Sequence, residues 1–434
     1  MHRTIKSTLM AVGVVTWSCA AWAGDTTPFS DRLSGDWGGL RSDLRDRGVD
    51  FQLGYVSETA SNVQGGSKEG TRYTDQWAFG TTLDLDKLLG LNDAQFQMTI
   101  TDRNGRNLSS DMQLDTLQQV QEVYGRGQTW RMTQFWYDQK YSDGLIDWKI
   151  GRLTVGEDFA SFSCEFMNLT FCGSQPGNIV GDYWFNWPVS QWATRIKVAL
   201  GGFGYTQLGV YEVNPSYLER AHAFGLDDPS GATGALIPLE IGWLPKLGEA
   251  QLAGSYKFGG WYNTSQGEDV FKNEQGQPLV LAGGQPRGHD GHYGLYINFL
   301  QQLTQPSLAD PERGLSIFLN TTFADRQTAT VDNQISAGMI YTGLFESRPH
   351  DALGLAIGRT HVNDRVAQAQ ELQNDAGTGP VGVQSSEYAG EIYYGIQATP
   401  WLTLRPNFQY IHHPGGIAEN TDIVILGLKL QLAM

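Results

Sequence analysis

Ile423-Val424-Ile425-Leu426-Gly427-Leu428-Lys429-Leu430-Gln431-Leu432-Ala433-Met434 closes the chain. Val424, Leu426, Leu428, Leu430 and Leu432 fall on one parity, Gly427, Lys429 and Gln431 on the other. Successive strand side chains point to opposite faces, so the run is a strand with one apolar and one polar side. The period recurs upstream. Val49, Phe51, Leu53 and Tyr55 alternate with Asp50, Gln52 and Gly54; Trp77, Phe79, Thr81 and Leu83 alternate with Gln76, Ala78, Gly80 and Thr82. Phe96, Met98 and Ile100 alternate with Gln95, Gln97, Thr99 and Thr101.

Counting such runs predicts sixteen strands, near 49–59, 74–85, 94–103, 130–141, 145–153, 192–200, 203–212, 235–243, 249–262, 291–301, 314–324, 334–345, 352–362, 387–398, 401–411 and 422–434. The fourth and thirteenth are poorly patterned. The connections carry more information. Those after odd-numbered strands are mostly long: 60–73, 104–129, 154–191, 213–234, 263–290, 325–333, 363–386 and 412–421. Those after even-numbered strands are mostly tight, such as Ser142-Asp143-Gly144, Gly201-Gly202 and Thr399-Pro400. Long loops alternating with short turns is the topology of an outer-membrane barrel. A sandwich or propeller has no reason to keep that alternation, and no fixed-period repeat is visible. The predicted fold is therefore all-β, a 16-stranded antiparallel transmembrane β-barrel with a short N-terminal helical segment. Its even strand count puts both chain ends on the periplasmic side.

Composition agrees. The 434 residues include 53 Gly, 13 Trp, 18 Tyr and 19 Phe at a hydrophobic content of 40%. An apolar outside, a polar inside and aromatic girdles at both interfaces call for that mixture. The N-terminus has Arg3 and Lys6, an apolar run from Leu9 to Val15, and Ala21-Trp22-Ala23 as a cleavage site. It reads as a secretory signal peptide, 1–23. Residues 24–48 read as a periplasmic segment with a short helix, Leu40 to Arg47, closed by Gly48, and 49–434 as the barrel. Removing residues 1–23 takes away two of 30 basic and none of 46 acidic residues, leaving 28 − 46 = −18. That charge argues against nucleic acid as a partner. Nothing after the signal has the apolar length of a transmembrane helix.

The longest loop, 154–191, holds Cys164 and Cys172, the two cysteines left after cleavage removes Cys19. An even count in an exported protein favours a disulfide. The loop is aromatic rather than disordered in composition, and long loops in compact domains are usually functional. It is expected to fold into the barrel and narrow it. If the apolar faces meet lipid, parity puts Arg103, Arg195, Lys197, Glu240, Lys257, Glu391, Arg405 and Lys429 inside. Arg152 and Arg359 fall on the outward parity, at strand ends. A sugar is held by Arg, Glu and Asn through several hydrogen bonds and by Trp or Tyr against its apolar ring faces. Candidate constriction residues are Arg103, Arg152, Glu165, Trp184, Trp187, Arg195, Lys197, Glu240 and Lys257. Binding there must be weak enough for release.

Several stretches together resemble one family. They are Ser34-Gly35-Asp36-Trp37-Gly38-Gly39-Leu40-Arg41, Gly48-Val49-Asp50-Phe51, Gln134-Phe135-Trp136-Tyr137, Ile150-Gly151-Arg152, Asp158-Phe159, and Phe171-Cys172-Gly173 with Cys164. Further along come Asn186 to Trp192 (NWPVSQW), Tyr211 to Pro215 (YEVNP), Tyr256 to Gly259 (YKFG) and Pro406 to Gly416 (PNFQYIHHPGG). The pattern covers nearly all of the chain after the signal and resembles the carbohydrate-selective outer-membrane porins of the OprB family. The chain ends in Met434, where barrel proteins commonly end in an aromatic residue. The resemblance implies a sixteen-stranded barrel, passive diffusion of sugars without energy coupling, and an N-terminal segment at or in the periplasmic mouth.

The expected function is passive, substrate-selective diffusion of carbohydrates, glucose-type monosaccharides first, across the outer membrane of a Gram-negative bacterium into the periplasm. The alternative is a general, anion or organic-acid diffusion porin, which the basic lumen also suits. Expected partners are sugars or similar small polar solutes and outer-membrane lipid, with a homo-oligomer possible; no cofactor or metal is called for. A barrel enzyme would need a Ser/His/acid set, yet no Gly-x-Ser-x-Gly accompanies the eight scattered His. A soluble carbohydrate-binding protein would not expose rows of Leu, Ile, Tyr and Trp.

Overall fold

Sixteen antiparallel strands close on themselves in the computed structural model, which describes residues 28–226, 230–307, 310–377 and 379–434. The expected signal peptide, with Cys19, lies outside the described residues. The strands are β1 Val49–Gln64, β2 Gly70–Asp84, β3 Ala94–Gly105, β4 Trp130–Tyr141, β5 Ile146–Leu153, β6 Gln191–Ala199, β7 Gly204–Val213 and β8 Gly234–Trp243. They continue as β9 Leu252–Asn273, β10 Pro286–Gln302, β11 Gly314–Ala324, β12 Val331–Thr342, β13 Ala352–Val362, β14 Ser386–Thr399, β15 Leu402–His412 and β16 Ile423–Ala433. A two-residue pairing, Lys246–Leu247, decorates one turn. Each strand pairs with the next, and β16 returns to β1 with Tyr55 opposite Leu432 and Thr59 opposite Leu428. Closure removes every free edge.

Parity holds through the wall. Leu426 and Leu428 are exposed to the lipid side while Lys429 is fully buried inside. Phe203 and Trp243 sit outward at the short-turn end, and Trp130, Tyr262 and Tyr388 outward at the long-loop end. These are the two interfacial girdles of a membrane barrel.

The connections at the extracellular end are L1 65–69, L2 106–129, L3 154–190, L4 214–233, L5 274–285, L6 325–330, L7 363–385 and L8 413–422. L1 and L5 are shorter than the sequence suggests, because β1 to β2 and β9 to β10 run on as ladders beyond the membrane. Beyond Asn263, β9 has lost its β8 partner and rises as a two-stranded hairpin. Helix α1, Leu40–Asp46, precedes β1; α2, Leu85–Leu89, lies in the first turn; α3, Asp364–Asp375, lies in L7.

The two poorly patterned strands have physical explanations. In β4 the register slips beside Thr133, so both Thr133 and Gln134 face inward, bonding to Thr101 and Thr99. A bulge breaks period two. In β13 the inward positions are Gly354, Ala356 and Gly358, small rather than polar. A Cβ on Gly358 would meet Thr170 Cγ2 at 2.5 Å, because L3 packs against this wall. Ala389, Tyr393, Ile411, Ile423 and Ile425 continue that inward apolar surface and form a core with Leu108, Met112, Leu114, Val120 and Phe166 of L2 and L3. Packed loop thus fills the lumen beside this part of the wall.

Candidate pore constriction

L3 enters the barrel after β5 and is fastened to the wall along its length. Asp158 accepts from Lys149 Nζ at 2.9 Å. The Ala160 amide donates to Glu240 at 2.8 Å, and Lys257 Nζ donates to the Ser161 carbonyl at 2.5 Å. Lys429 Nζ donates to the carbonyls of Cys164 and Phe166 at 3.1 and 3.0 Å. Arg405 pairs with Glu165, and Glu391 receives the Met167 and Asn168 amides at 2.8 Å each. Gln175 closes the circuit, accepting from Thr322 and donating to Ser336. A loop backbone in a lumen would otherwise leave polar groups unsatisfied, so inward charges of both signs recur where the loop passes.

L2 enters as well. Glu387 accepts from the amides of Leu117 and Gln118, and Glu58 from that of Val123. Glu122 of L2 pairs with Lys429 at 2.8 Å. A disulfide joins Cys164 to Cys172 inside L3.

Between L2, L3 and the β2–β3 wall lies a cavity of about 550 Å³. Its polar lining includes Arg103, Glu122, Arg126, Glu157, Asn178 and Asn186, and its aromatic surface is Trp187 and Phe162. Arg103 Nε and Trp187 Nε1 both donate to Gln76 Oε1, at 2.8 and 2.9 Å, fixing guanidinium and indole side by side. Arg103 also donates to the Gly125 carbonyl at 2.9 Å and lies 4.0 Å from Glu122. Arg126 donates to the carbonyls of Gly181 and Gly177. Asn186 donates to the Ser174 carbonyl and to Asn178 Oδ1. A Cβ on Gly156 or Gly177 would come within 2.4 Å of Asn186 Oδ1, so only glycine lets the two loop segments meet there. Donors, acceptors and one indole face thus converge on a site within the roughly 300–1,000 Å³ range of small-molecule pockets.

The candidate residues divide. Arg103 and Trp187 line the cavity, and Glu165 lies beside it on Arg405. Trp184 does not face the passage: it is fully buried, with Nε1 on Ser174 Oγ and its ring packed against Trp261 and Tyr296. Glu240 and Lys257 point inward but hold L3 rather than solvent. Glu240 receives Ala160, Tyr205, Tyr296 and Gln207 together. Arg195 is buried among Asp147, Asp138 and Asp158. Lys197 stands with Nζ 4.9 Å above the Tyr205 ring. Arg152, outward in parity, is buried under L4: it donates to the carbonyls of Gly225 and Ser190 and stacks on Tyr217. L4 covers the gap in the wall where L3 turns inward, and Arg131 fastens it through the Tyr217 and Leu218 carbonyls.

Glu122, Arg126, Glu157, Asn178 and Asn186 were not among the candidates. The signal for L2 is its apolar content: Leu108, Met112, Leu114, Val120 and Val123, all buried, are too many for a solvated loop.

Residues 68–434 match the family model described as carbohydrate-selective porin, OprB family. Porin B of Pseudomonas aeruginosa is 46% identical, over 98% of this chain and 96% of its own. Putative porin QuiX of Acinetobacter baylyi is 36% identical, over 92% of both. The high-pH structure of Pseudomonas putida OprB superposes with a TM-score of 0.90 at 44% identity, covering 94% of this chain and 100% of that one.

Proposed function

The chain belongs to the OprB family of carbohydrate-selective porins, and on that premise we propose that it passes glucose-type monosaccharides by passive diffusion into the periplasm. It is an outer-membrane channel of a Gram-negative bacterium and not an enzyme. The observation that carries the substrate class is the fixed pair Arg103 and Trp187, both bonded to Gln76 on one side of the cavity. A guanidinium offers planar donors to vicinal hydroxyls, while an indole offers a flat apolar face to the ring's C–H side. Glu157, Asn178 and Asn186 supply acceptors and further donors around them. Many modest hydrogen bonds suit a solute that must also leave.

One observation favours a second reading, in which small organic acids pass too. The lining arginine Arg126 is satisfied by main-chain carbonyls rather than by a carboxylate, as is Arg131 behind it. Arg126 lines the cavity, so its charge is available to an anionic solute.

Single-channel conductance in planar bilayers tests both readings. Glucose, maltose and a hydroxylated ring acid are titrated as blockers. Block by glucose at millimolar concentration supports the sugar reading; block by the acid alone supports the second. No block by any leaves a general diffusion pore.

A further inference from the structure

The segment Ser34-Gly35-Asp36-Trp37-Gly38-Gly39-Leu40-Arg41 takes no part in the constriction, yet it is carefully folded. Asp36 receives the Ser42 amide and hydroxyl at 2.8 Å each, turning the chain into α1. Leu33 donates its amide to the Ala433 carbonyl, and Arg41 donates to the carbonyls of Phe51 and Met434. Segment, first strand and chain terminus are one unit at the periplasmic rim.

Its side chains are inverted relative to a surface in water. Arg41 is 2% exposed, its guanidinium lying 4.4 Å from the Phe29 ring centre and 5.1 Å from that of Trp37. Leu33, Trp37 and Leu40 are 45, 45 and 53% exposed. Burying the cation while presenting the apolar groups is unfavourable against solvent and favourable against an apolar phase. The patch is continuous with the lipid-facing wall: the Trp37 ring lies 6.1 Å from that of Phe51, which stands on the outward parity of β1. Leu88 and Leu89 of α2 extend it; Lys87 of that helix donates to the Arg45 carbonyl, holding α1 and α2 together.

We propose that Leu33, Trp37 and Leu40, with Leu88 and Leu89, form an interfacial anchor seated in the phospholipid leaflet on the periplasmic side of the outer membrane. Trp37 sits at headgroup depth, where an amphipathic ring is favoured. The exposed Arg47 and Lys87 beside the patch are paired with Asp43 and Asp84, so the anchor rests on its apolar side chains rather than on charge. The anchor extends the lipid-facing belt below the last wall residues and holds the N-terminal segment flat against the rim instead of across the mouth.

The test uses Leu40→Cys and, as a control, the water-exposed Asp46→Cys. Each is purified from outer membranes, labelled with an environment-sensitive fluorophore and reconstituted in phosphatidylethanolamine/phosphatidylglycerol vesicles. The native cysteines are joined in the disulfide and do not compete. Heat-modifiable migration on gels checks that both variants are folded barrels. The expected result is several-fold stronger quenching at position 40 than at 46 by a lipid-borne nitroxide, and the reverse order with a water-soluble quencher. Equal aqueous quenching at both positions overturns the proposal. So does spontaneous disulfide cross-linking of Leu40→Cys between barrels, which would make the patch a contact between copies of this chain.

Discussion

Lys429 Nζ stands 2.8 Å from Glu122 Oε1, so the last strand of the wall is bonded to the second loop inside the lumen. The same ammonium lies 3.3 Å from Glu58 and holds the carbonyls of Cys164 and Phe166. One lysine therefore joins L2, L3 and the β1–β16 seam. Lys429→Met removes the cation and leaves two buried carboxylates facing each other. Breaking one side of a buried pair costs roughly 3–5 kcal/mol. The expected outcome is a lower temperature for the heat-modified gel shift and a larger, noisier single-channel conductance as both loops loosen. Unchanged conductance would show that the loops are held without this clasp.

The Cys164–Cys172 disulfide closes a small ring whose own residues, Cys164 to Asn168, are already fastened to the wall by Lys429, Arg405 and Glu391. Its chain-entropy contribution is roughly 2–3 kcal/mol, whereas the position of L3 is set by the wall. Reduction, or paired Cys→Ser substitution, is expected to lower stability to denaturant while leaving conductance and sugar block nearly unchanged. A widened pore on reduction would make the disulfide the principal support of the constriction.

Arg103→Gln keeps a donor but loses the charged fork, and Trp187→Ala removes the indole face. Loss of a charged hydrogen bond costs about 1.5–3 kcal/mol, and of aromatic packing about 0.5–1.5 kcal/mol. Glucose block in bilayers is expected to weaken roughly ten- to hundredfold in the first variant. A smaller loss is expected in the second, restored by Trp187→Phe. Both barrels should migrate as folded on gels. Equal block in wild type and both variants would remove this pair from the sugar path.

The barrel was legible because a wall with lipid on one side and polar groups on the other writes period two into the chain. It was legible least where that contrast fails. In β13 the inner side of Gly354 meets Tyr393 of β14, and Ala356 and Gly358 meet packed core and L3 instead of water; in β4 the bulge at Thr133 shifts the parity. Parity also gives direction without depth. It placed Glu240 and Lys257 inward, but whether an inward charge meets solute or a loop backbone depends on where 154–190 lies, which no local period encodes. Trp184 and Trp187 are three residues apart with the same local composition. One fills the core beside Trp261, and the other reaches Gln76 at the cavity.

Arg126 contributes a cation to the cavity lining. Burial draws its guanidinium down to about 10, opposed by Asp182, with Arg103 adding to the lowering; it stays protonated at neutral pH. Its hydrogen bonds go to the Gly181 and Gly177 carbonyls, which carry no net charge. The pore is therefore expected to prefer anions despite the acidic chain as a whole. Reversal potentials in a potassium chloride gradient should report this, and Arg126→Gln should move them toward zero or cation preference. A cation-preferring wild type would place the governing charges elsewhere.

Asp269 ties the extracellular hairpin of β9 and β10 to L7. Burial alone would raise its carboxyl from the ordinary 3.8. The bonds from His289 and from the Lys272 and Phe271 amides, together with the Arg365 charge, outweigh it and hold the group at about 2. A carboxyl whose folded value is depressed adds stability that is complete above its unfolded value and disappears as pH falls through the folded one. The docking of α3 on the hairpin should thus be insensitive to this group above about pH 4 and weaken from there toward pH 2. Hydrogen exchange along 364–375 measures it, with the barrel strands as internal reference. Asp269→Asn should show the weakened docking at neutral pH and lose the acid dependence. Protection that falls equally in both proteins between pH 4 and 2 would assign the acid response to another carboxyl.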